Sequence, residues 1–298
     1  EITTRLVGSE MCIRDRHTPV RAIRRRVFKE VAQLGFKADE DTLLADMEAI
    51  PYAIVNEDSE KYRESVYRAR AIVRERLRLA MGLSLRPENK PVHLTAGVEA
   101  SNISEKYYEP PLMQVIPSAC ESCEENKYEV SNICKGCLAH PCQEVCPKDA
   151  ISMVNGRSYI DQEKCIKCGK CKSVCPYDAI AKKERPCQKA CGVNAIKSDK
   201  MGRAYIDNEK CVSCGMCMVS CPFGAISDKS QIFQLARALS EGENVIAEIA
   251  PAFVGQFGDN ITPRNIKAAL RELGFSEVYE VALGADIGAC LLYTSDAA

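Results

Sequence analysis

Apolar residues near the start of the chain recur at helical spacing. Val20, Ile23, Val27, Val31 and Leu34 follow Pro19, which suits a first helical turn, and Gly35 marks a stop. A second segment, Thr42–Ile50, ends before Pro51, because an internal proline removes a backbone donor. Ser59–Met81 predicts a longer helix with Val66, Ala69, Val73, Leu77 and Ala80 on one face and Gly82 after it. Its arginines (Arg63, Arg68, Arg70, Arg74, Arg76, Arg78) are read as a solvated face balanced by Glu64 and Glu75, in preference to a docking surface. Together these segments predict a helical N-terminal domain over residues 17–84.

The period breaks at Leu85. Pro87, Pro91, Pro110, Pro111 and Pro117 predict a Pro-rich linker, or an extended packed segment, over residues 85–118. Apolar patterning returns after residue 228. Gln231–Ser240 predicts a helix and Asn244–Ile249 a buried strand. Thr262 then caps a helix that opens on Pro263 and closes at Gly274, and Glu277–Leu283 predicts a second strand. Strand, helix, strand is the opening of an α/β lobe over residues 229–289.

Residues 119–228 follow neither period, and cysteine spacing organises them instead. Of eighteen cysteines, sixteen fall between Cys120 and Cys221. Cys165-x2-Cys168-x2-Cys171-x3-Cys175-Pro176 recurs as Cys211-x2-Cys214-x2-Cys217-x3-Cys221-Pro222. Each matches the bacterial ferredoxin run, whose fourth cysteine ligates the other 4Fe–4S cluster of a pair. A lone CxxC would say little, whereas two full runs ending in Cys-Pro predict electron transfer. The other two cysteines, Cys12 and Cys290, lie in stretches (1–16 and 290–298) that resemble translated sequencing-adapter ends. Both stretches are set aside, which leaves four sets of four.

The repeat extends beyond the thiols. Gly156–Cys165 aligns with Gly202–Cys211, and Pro141–Ile151 aligns with Pro186–Ile196 at an offset of 45. The expected fold class is therefore α+β, with tandem ferredoxin-like units in which Ala-Ile pairs pack the cluster sheath. Ile166, Val174, Ile180, Val212, Val219 and Ile226 are expected to bury the clusters. Crossed ligation assigns Cys134, Cys137, Cys142 and Cys175 to one cluster and Cys146, Cys165, Cys168 and Cys171 to a second. In the next unit the offset places Ala179 and Lys182 where Cys134 and Cys137 stand. Cys191, Cys211, Cys214 and Cys217 make a third set, and Cys187 and Cys221 lack two partners. Cys120 and Cys123 are the unassigned pair. They either close a fourth cluster with Cys187 and Cys221, or bind nothing, or belong to a zinc site. His140 is read as a loop residue and His93 as no ligand. Lys164, Lys167, Lys170 and Lys210 are read as solvated.

Charge adds little until clusters are counted. Forty basic against 41 acidic residues give a formal −1, no basis for nucleic-acid binding. An oxidised all-cysteinyl cubane contributes about −2 once its thiolates are included, so a loaded protein would be distinctly acidic. No apolar run approaches a membrane span. Reduced thiols fit a cytoplasmic, anaerobic setting better than a disulfide scaffold.

The cluster array, the following Val245–Ala252, Asn265–Phe275 and Glu277–Ile287, and the element Arg185–Val193 together resemble the iron-only (FeFe) hydrogenases. In that family ferredoxin-type units lead directly into the catalytic domain. The resemblance covers roughly residues 19–289 and implies a parent enzyme that reduces protons reversibly at a di-iron site. It also implies an external ferredoxin or similar electron carrier as partner. The family's catalytic cysteine motifs are not among these residues, so the chain is expected to relay electrons without turning over hydrogen. An electron-transfer subunit of another anaerobic oxidoreductase and a stand-alone polyferredoxin are the alternatives.

Overall fold

The computed structural model describes residues 18–37, 40–56, 63–101, 110–254, 257 and 260–295. The adapter-like stretch 1–16 and the start of the expected third helix at Ser59 lie outside the described residues. The chain divides into two compact units, Met113–Ser227 and the remainder.

Helices α1 (Pro19–Lys37), α2 (Glu40–Ile54) and α3 (Val66–Ala80) form the outer unit's core, which contains Val27, Val31, Met47, Val73 and Leu77. Pro51 lies inside α2, not after it. Burial of Ile50, Ile54 and Val55 on either side of the proline outweighs the one hydrogen bond it removes. Helix α3 starts at Val66 because Ser65 caps it, accepting a hydrogen bond from the Arg68 N–H.

The arginines of α3 are not a simple solvated face. Arg76 and Arg78 are buried, and the Arg78 guanidinium donates to the carbonyls of Ser84, Leu94 and Ala96. Arg70 donates to the Val55 carbonyl and stacks over Tyr52. The segment after α3 is therefore stapled onto the helical core, with Leu83, Leu94 and Val98 buried there and a short helix α4 (Val98–Ser101).

Within the cysteine-rich unit the order is β1 (Met113–Val115), β2 (Lys127–Val130), α5 (Pro141–Glu144), β3 (Ile151–Val154), β4 (Arg157–Ile160), α6 (Lys170–Ser173) and β5 (Ile180–Lys183). Then come α7 (Pro186–Lys189), β6 (Ile196–Ser198), β7 (Ala204–Ile206), α8 (Met216–Ser220) and β8 (Ile226–Asp228). All the sheets are two-stranded. Strand β2 pairs antiparallel with β5 around the β3–β4 hairpin, and this closes the first ferredoxin-type unit. Strand β1 pairs with β8 around the β6–β7 hairpin and closes the second. Bonds from Ile116 N–H to Ala225 and from Lys229 N–H to Leu112 give β1–β8 an antiparallel register. The complete cysteine runs stand in tandem, yet the second unit takes its opening strand from ahead of the first. The first unit is thus an insertion within the second.

After β8, helix α9 (Ile232–Ser240) returns to the helical core through Phe233. Gly35 of α1 is needed at that crossing, because a Cβ there would lie 2.7 Å from the Ala236 Cβ. Strand β9 (Ile246–Ile249), helix α10 (Pro263–Glu272) and strand β10 (Glu277–Glu280) follow, with β9 and β10 parallel as a βαβ unit requires. Thr262 caps α10 in a capping box with Asn265. The last strand ends at Glu280, short of the expected Leu283, and α11 (Val281–Ser295) continues from it.

Candidate metal centres

The cluster-binding unit is built from one small set of local devices used four times. Each CxxC loop turns through a left-handed residue two positions after its first cysteine: Ser122, Gly136, Lys167 and Ser213, with φ of 46°, 57°, 58° and 54°. That conformation folds the loop back on itself, so the Lys167 and Ser213 N–H groups donate to Cys165 and Cys211 at 3.4 Å. A four- or five-residue helix then carries one buried thiol: Cys142 on α5, Cys171 on α6, Cys187 on α7 and Cys217 on α8.

The last cysteine of each set enters a second left-handed turn, at Asp149, Asp178, Asn194 or Gly224. The next N–H, always of an alanine, donates to the sulfur. The contacts are Ala150 to Cys146 (3.3 Å), Ala179 to Cys175 (3.4 Å), Ala195 to Cys191 (3.2 Å) and Ala225 to Cys221 (3.3 Å). Such N–H···S bonds stabilise thiolate and cluster charge. This turn was missed in the sequence. Its signal is the Asp, Asp, Asn, Gly series at the third position after each of these cysteines, all residue types that tolerate left-handed backbone.

The thiols gather as crossed sets. One recess is lined by Cys134, Cys137, Cys142 and Cys175, with Val130, Ala179 and Ile180. Another is lined by Cys146, Cys165, Cys168 and Cys171, with Tyr128, Ala150, Ile151, Ile160 and Ile166. In the second unit, burial pushes the Cys217 thiol up to about 11, with Cys211, Cys214 and Cys191 as its charged neighbours. Burial likewise pushes Cys187 up to about 11, and its thiol neighbours are Cys221 and Cys120. Cys123 is raised by burial and then by Cys221 and Cys120. The orphan pair thus sits with Cys187 and Cys221, and Ser122 gives it the same left-handed loop as the other three CxxC pairs.

The donor set fits a polynuclear cluster. Four thiolates around one Zn²⁺ at ~2.3 Å must converge on a point. Among the described residues no three His, Cys, Asp or Glu side chains do so. Instead the thiols of the first unit line two separate recesses, four cysteines to each. His140, with φ of 40°, precedes α5 and is not among the residues lining its recess.

The expected sheath needs one correction. The Ala-Ile pairs 150/151, 179/180, 195/196 and 225/226 are all buried, but Ile166, Val174, Val212 and Val219 are exposed. Ile166, although exposed, still lines the recess of Cys146, Cys165, Cys168 and Cys171, and of the six named residues Ile180 and Ile226 are the buried ones.

A buried cation adjoins the Cys120/Cys123 set. Arg185, 2% exposed, donates to the Cys123 carbonyl at 2.8 and 3.0 Å, to Gly202 at 2.8 Å and to Lys197 at 3.4 Å. Among the described residues its one acidic contact is Glu125 at 3.9 Å, itself about half exposed.

Comparison with known proteins matches three stretches. An LdpA Fe-S cluster-binding domain model covers residues 134–185, and a 4Fe-4S binding domain model covers 204–227. The iron only hydrogenase large subunit, C-terminal domain, matches 243–292, directly after α9. Among relatives, an uncharacterized ferredoxin of Methanocaldococcus jannaschii is 33% identical over 27% of this chain and 63% of its own length. Electron transport protein HydN of Escherichia coli is 37% identical over 24% of this chain and 41% of its own. A ferredoxin 7Fe of Hydrogenibacillus schlegelii is 43% identical over 18% of this chain and 68% of its own. The chain thus spans less than two thirds of the first two.

Proposed function

Because this chain belongs to the ferredoxin family through its cysteine-rich unit, we propose that it is the electron-entry arm of an iron-only hydrogenase, relaying electrons between an external ferredoxin-like carrier and a hydrogen-forming site. The chain is an iron–sulfur electron-transfer module that carries 4Fe–4S clusters. The observation that carries the hydrogenase reading is order: the match to that family's catalytic domain opens at residue 243, immediately after the cluster units and α9. Exposed apolar side chains along α11, including Leu283 and Ile287, suit a lobe that more chain would cover.

Four clusters are assigned. They are held by Cys134, Cys137, Cys142 and Cys175; by Cys146, Cys165, Cys168 and Cys171; by Cys191, Cys211, Cys214 and Cys217; and by Cys120, Cys123, Cys187 and Cys221. When bound, each cubane supplies a reversible one-electron couple. The chain's own contribution is a rigid cage: left-handed loops aim N–H groups at sulfur, and Ala-Ile pairs exclude water.

The carrier docks at the first unit. Lys148, Lys164, Lys167, Lys170 and Lys172 are all exposed near Cys165, Cys168 and Cys171. Among the described residues only Lys164 of these has an ion-pair partner, Asp161 at 3.9 Å. A basic rim steers an acidic carrier toward the cluster beneath it. No helix among the described residues is long and apolar enough to cross a membrane.

Mixed anaerobically with a reduced low-potential ferredoxin, the loaded protein should bleach in the visible within the mixing experiment. A chain that stays oxidised would reject the relay. Extending the reading frame past residue 289 tests the parentage: the family's catalytic cysteine motifs should follow, and an open frame without them points to a subunit of another oxidoreductase.

A further inference from the structure

Arg185 is a cation shut inside the protein with too little negative charge around it. Its guanidinium is 2% exposed, its close hydrogen-bond partners are backbone carbonyls, and Glu125 at 3.9 Å is half in solvent. A buried charge of this kind is costly unless an anion shares its site. The groups nearest it belong to that anion's ligands: it bonds the carbonyl of Cys123 at 2.8 and 3.0 Å and stands at the start of α7, two residues before the buried Cys187. Four thiolates on a cubane carry the net negative charge that the guanidinium lacks.

The first unit has no counterpart. The repeat offset puts His140 where Arg185 stands, at the residue before the short helix that carries the buried thiol. His140 is half-buried, and no side-chain hydrogen bond caps that helix there.

We propose that Arg185 is the internal counter-ion of the cluster held by Cys120, Cys123, Cys187 and Cys221, and that it raises that cluster's reduction potential above the value the same cage would otherwise give. The inference rests on the fourth-cluster assignment. Reduction adds one negative charge to a cubane, and a fixed positive charge in a low-dielectric site stabilises the reduced form more than the oxidised one. The same guanidinium ties three segments together. It bonds the Cys123 loop, the end of β6 at Lys197 and the turn at Gly202, so it also holds the CxxC that comes from ahead of the first unit.

The test is a redox titration of the full chain followed by electron paramagnetic resonance, with iron counted on each sample. In Arg185→Gln one of the four potentials should move to a lower value while the other three stay. Arg185→Lys, which keeps the charge but not the fork, should leave that potential near the parent value. If Arg185→Gln loses one cluster, Arg185→Lys carries the decision: a retained cluster at the parent potential supports the counter-ion role. A retained cluster whose potential drops as far as in a neutral variant overturns it, as does Arg185→Gln with four unshifted potentials. Parent protein with iron for only three clusters would instead reject the assignment on which the inference rests.

Discussion

The two ferredoxin-type units use the same backbone and differ in almost everything attached to it. Both have two CxxC loops with a left-handed third residue, two short helices each with a buried thiol, and two alanine N–H groups on sulfur. The first is continuous from β2 to β5, whereas the second is split by it, with β1 and Cys120–Cys123 on the far side. Around one cysteine run stand Lys167, Lys170 and Lys172. At the same repeat positions of the other stand Ser213, Met216 and Met218. A buried Arg185 faces the second unit's orphan set where the first unit has His140. Cage geometry is thus fixed by turns, while electrostatics are free to differ, and on that contrast rest the proposed entry face and the proposed counter-ion.

The nested connectivity makes the second unit discontinuous in sequence, with β1 ahead of the first unit and β6 to β8 behind it. Gly136→Ala is the most disruptive single change for that comparison. Its φ is +57°, and an added Cβ would lie 2.0 Å from the Gly156 carbonyl oxygen. Iron analysis should show loss of at least one cluster, about four irons per chain, and a fully loaded variant would contradict the rigidity assigned to the cages. Ile180→Ala and Ile226→Ala remove matching residues from the two cores, each 2% exposed or less. Each should cost about 2–5 kcal/mol in anaerobic denaturation of the loaded protein. If Ile226→Ala is nearly silent, the second unit does not share the first unit's packing.

The surface contrast predicts smaller, kinetic effects. Replacing Lys167, Lys170 and Lys172 together by glutamine should slow reduction by an acidic ferredoxin about tenfold at low salt and flatten the salt dependence. Reduction by a small neutral reagent should be unchanged. Equal slowing by both reagents would mean a damaged cluster and not a lost docking face. Val212→Ala, at an exposed loop position, should change stability by less than about 0.5 kcal/mol. A larger cost would restore Val212 to the sheath.

Much of the thiol grouping was legible because cysteine spacing sets which thiols the turns bring together, and the repeat offset exposed the missing pair at Ala179 and Lys182. The Ala-Ile pairs were legible too, recurring at fixed distance from each thiol. Burial of the loop residues was not. Val212 is apolar and stands beside the left-handed turn at Ser213, yet it is exposed, and hydrophobicity alone does not report backbone handedness. Arg78 misled for a related reason, since its buried guanidinium bonds the carbonyls of Ser84, Leu94 and Ala96, in a segment that shows no periodicity. Pro51 misled because local propensity yielded to packing by Ile50 and Ile54. The nesting was half-legible: counting supplied the partner thiols, but only β1 pairing with β8 revealed that a strand travels with them.

Iron and acid-labile sulfide counted per chain, on anaerobically purified protein, test the central claim most directly. Four crossed and nested cages predict about sixteen irons with matching sulfide, falling to about twelve in Cys120→Ser. A parent protein with about twelve, unchanged by Cys120→Ser, would contradict it.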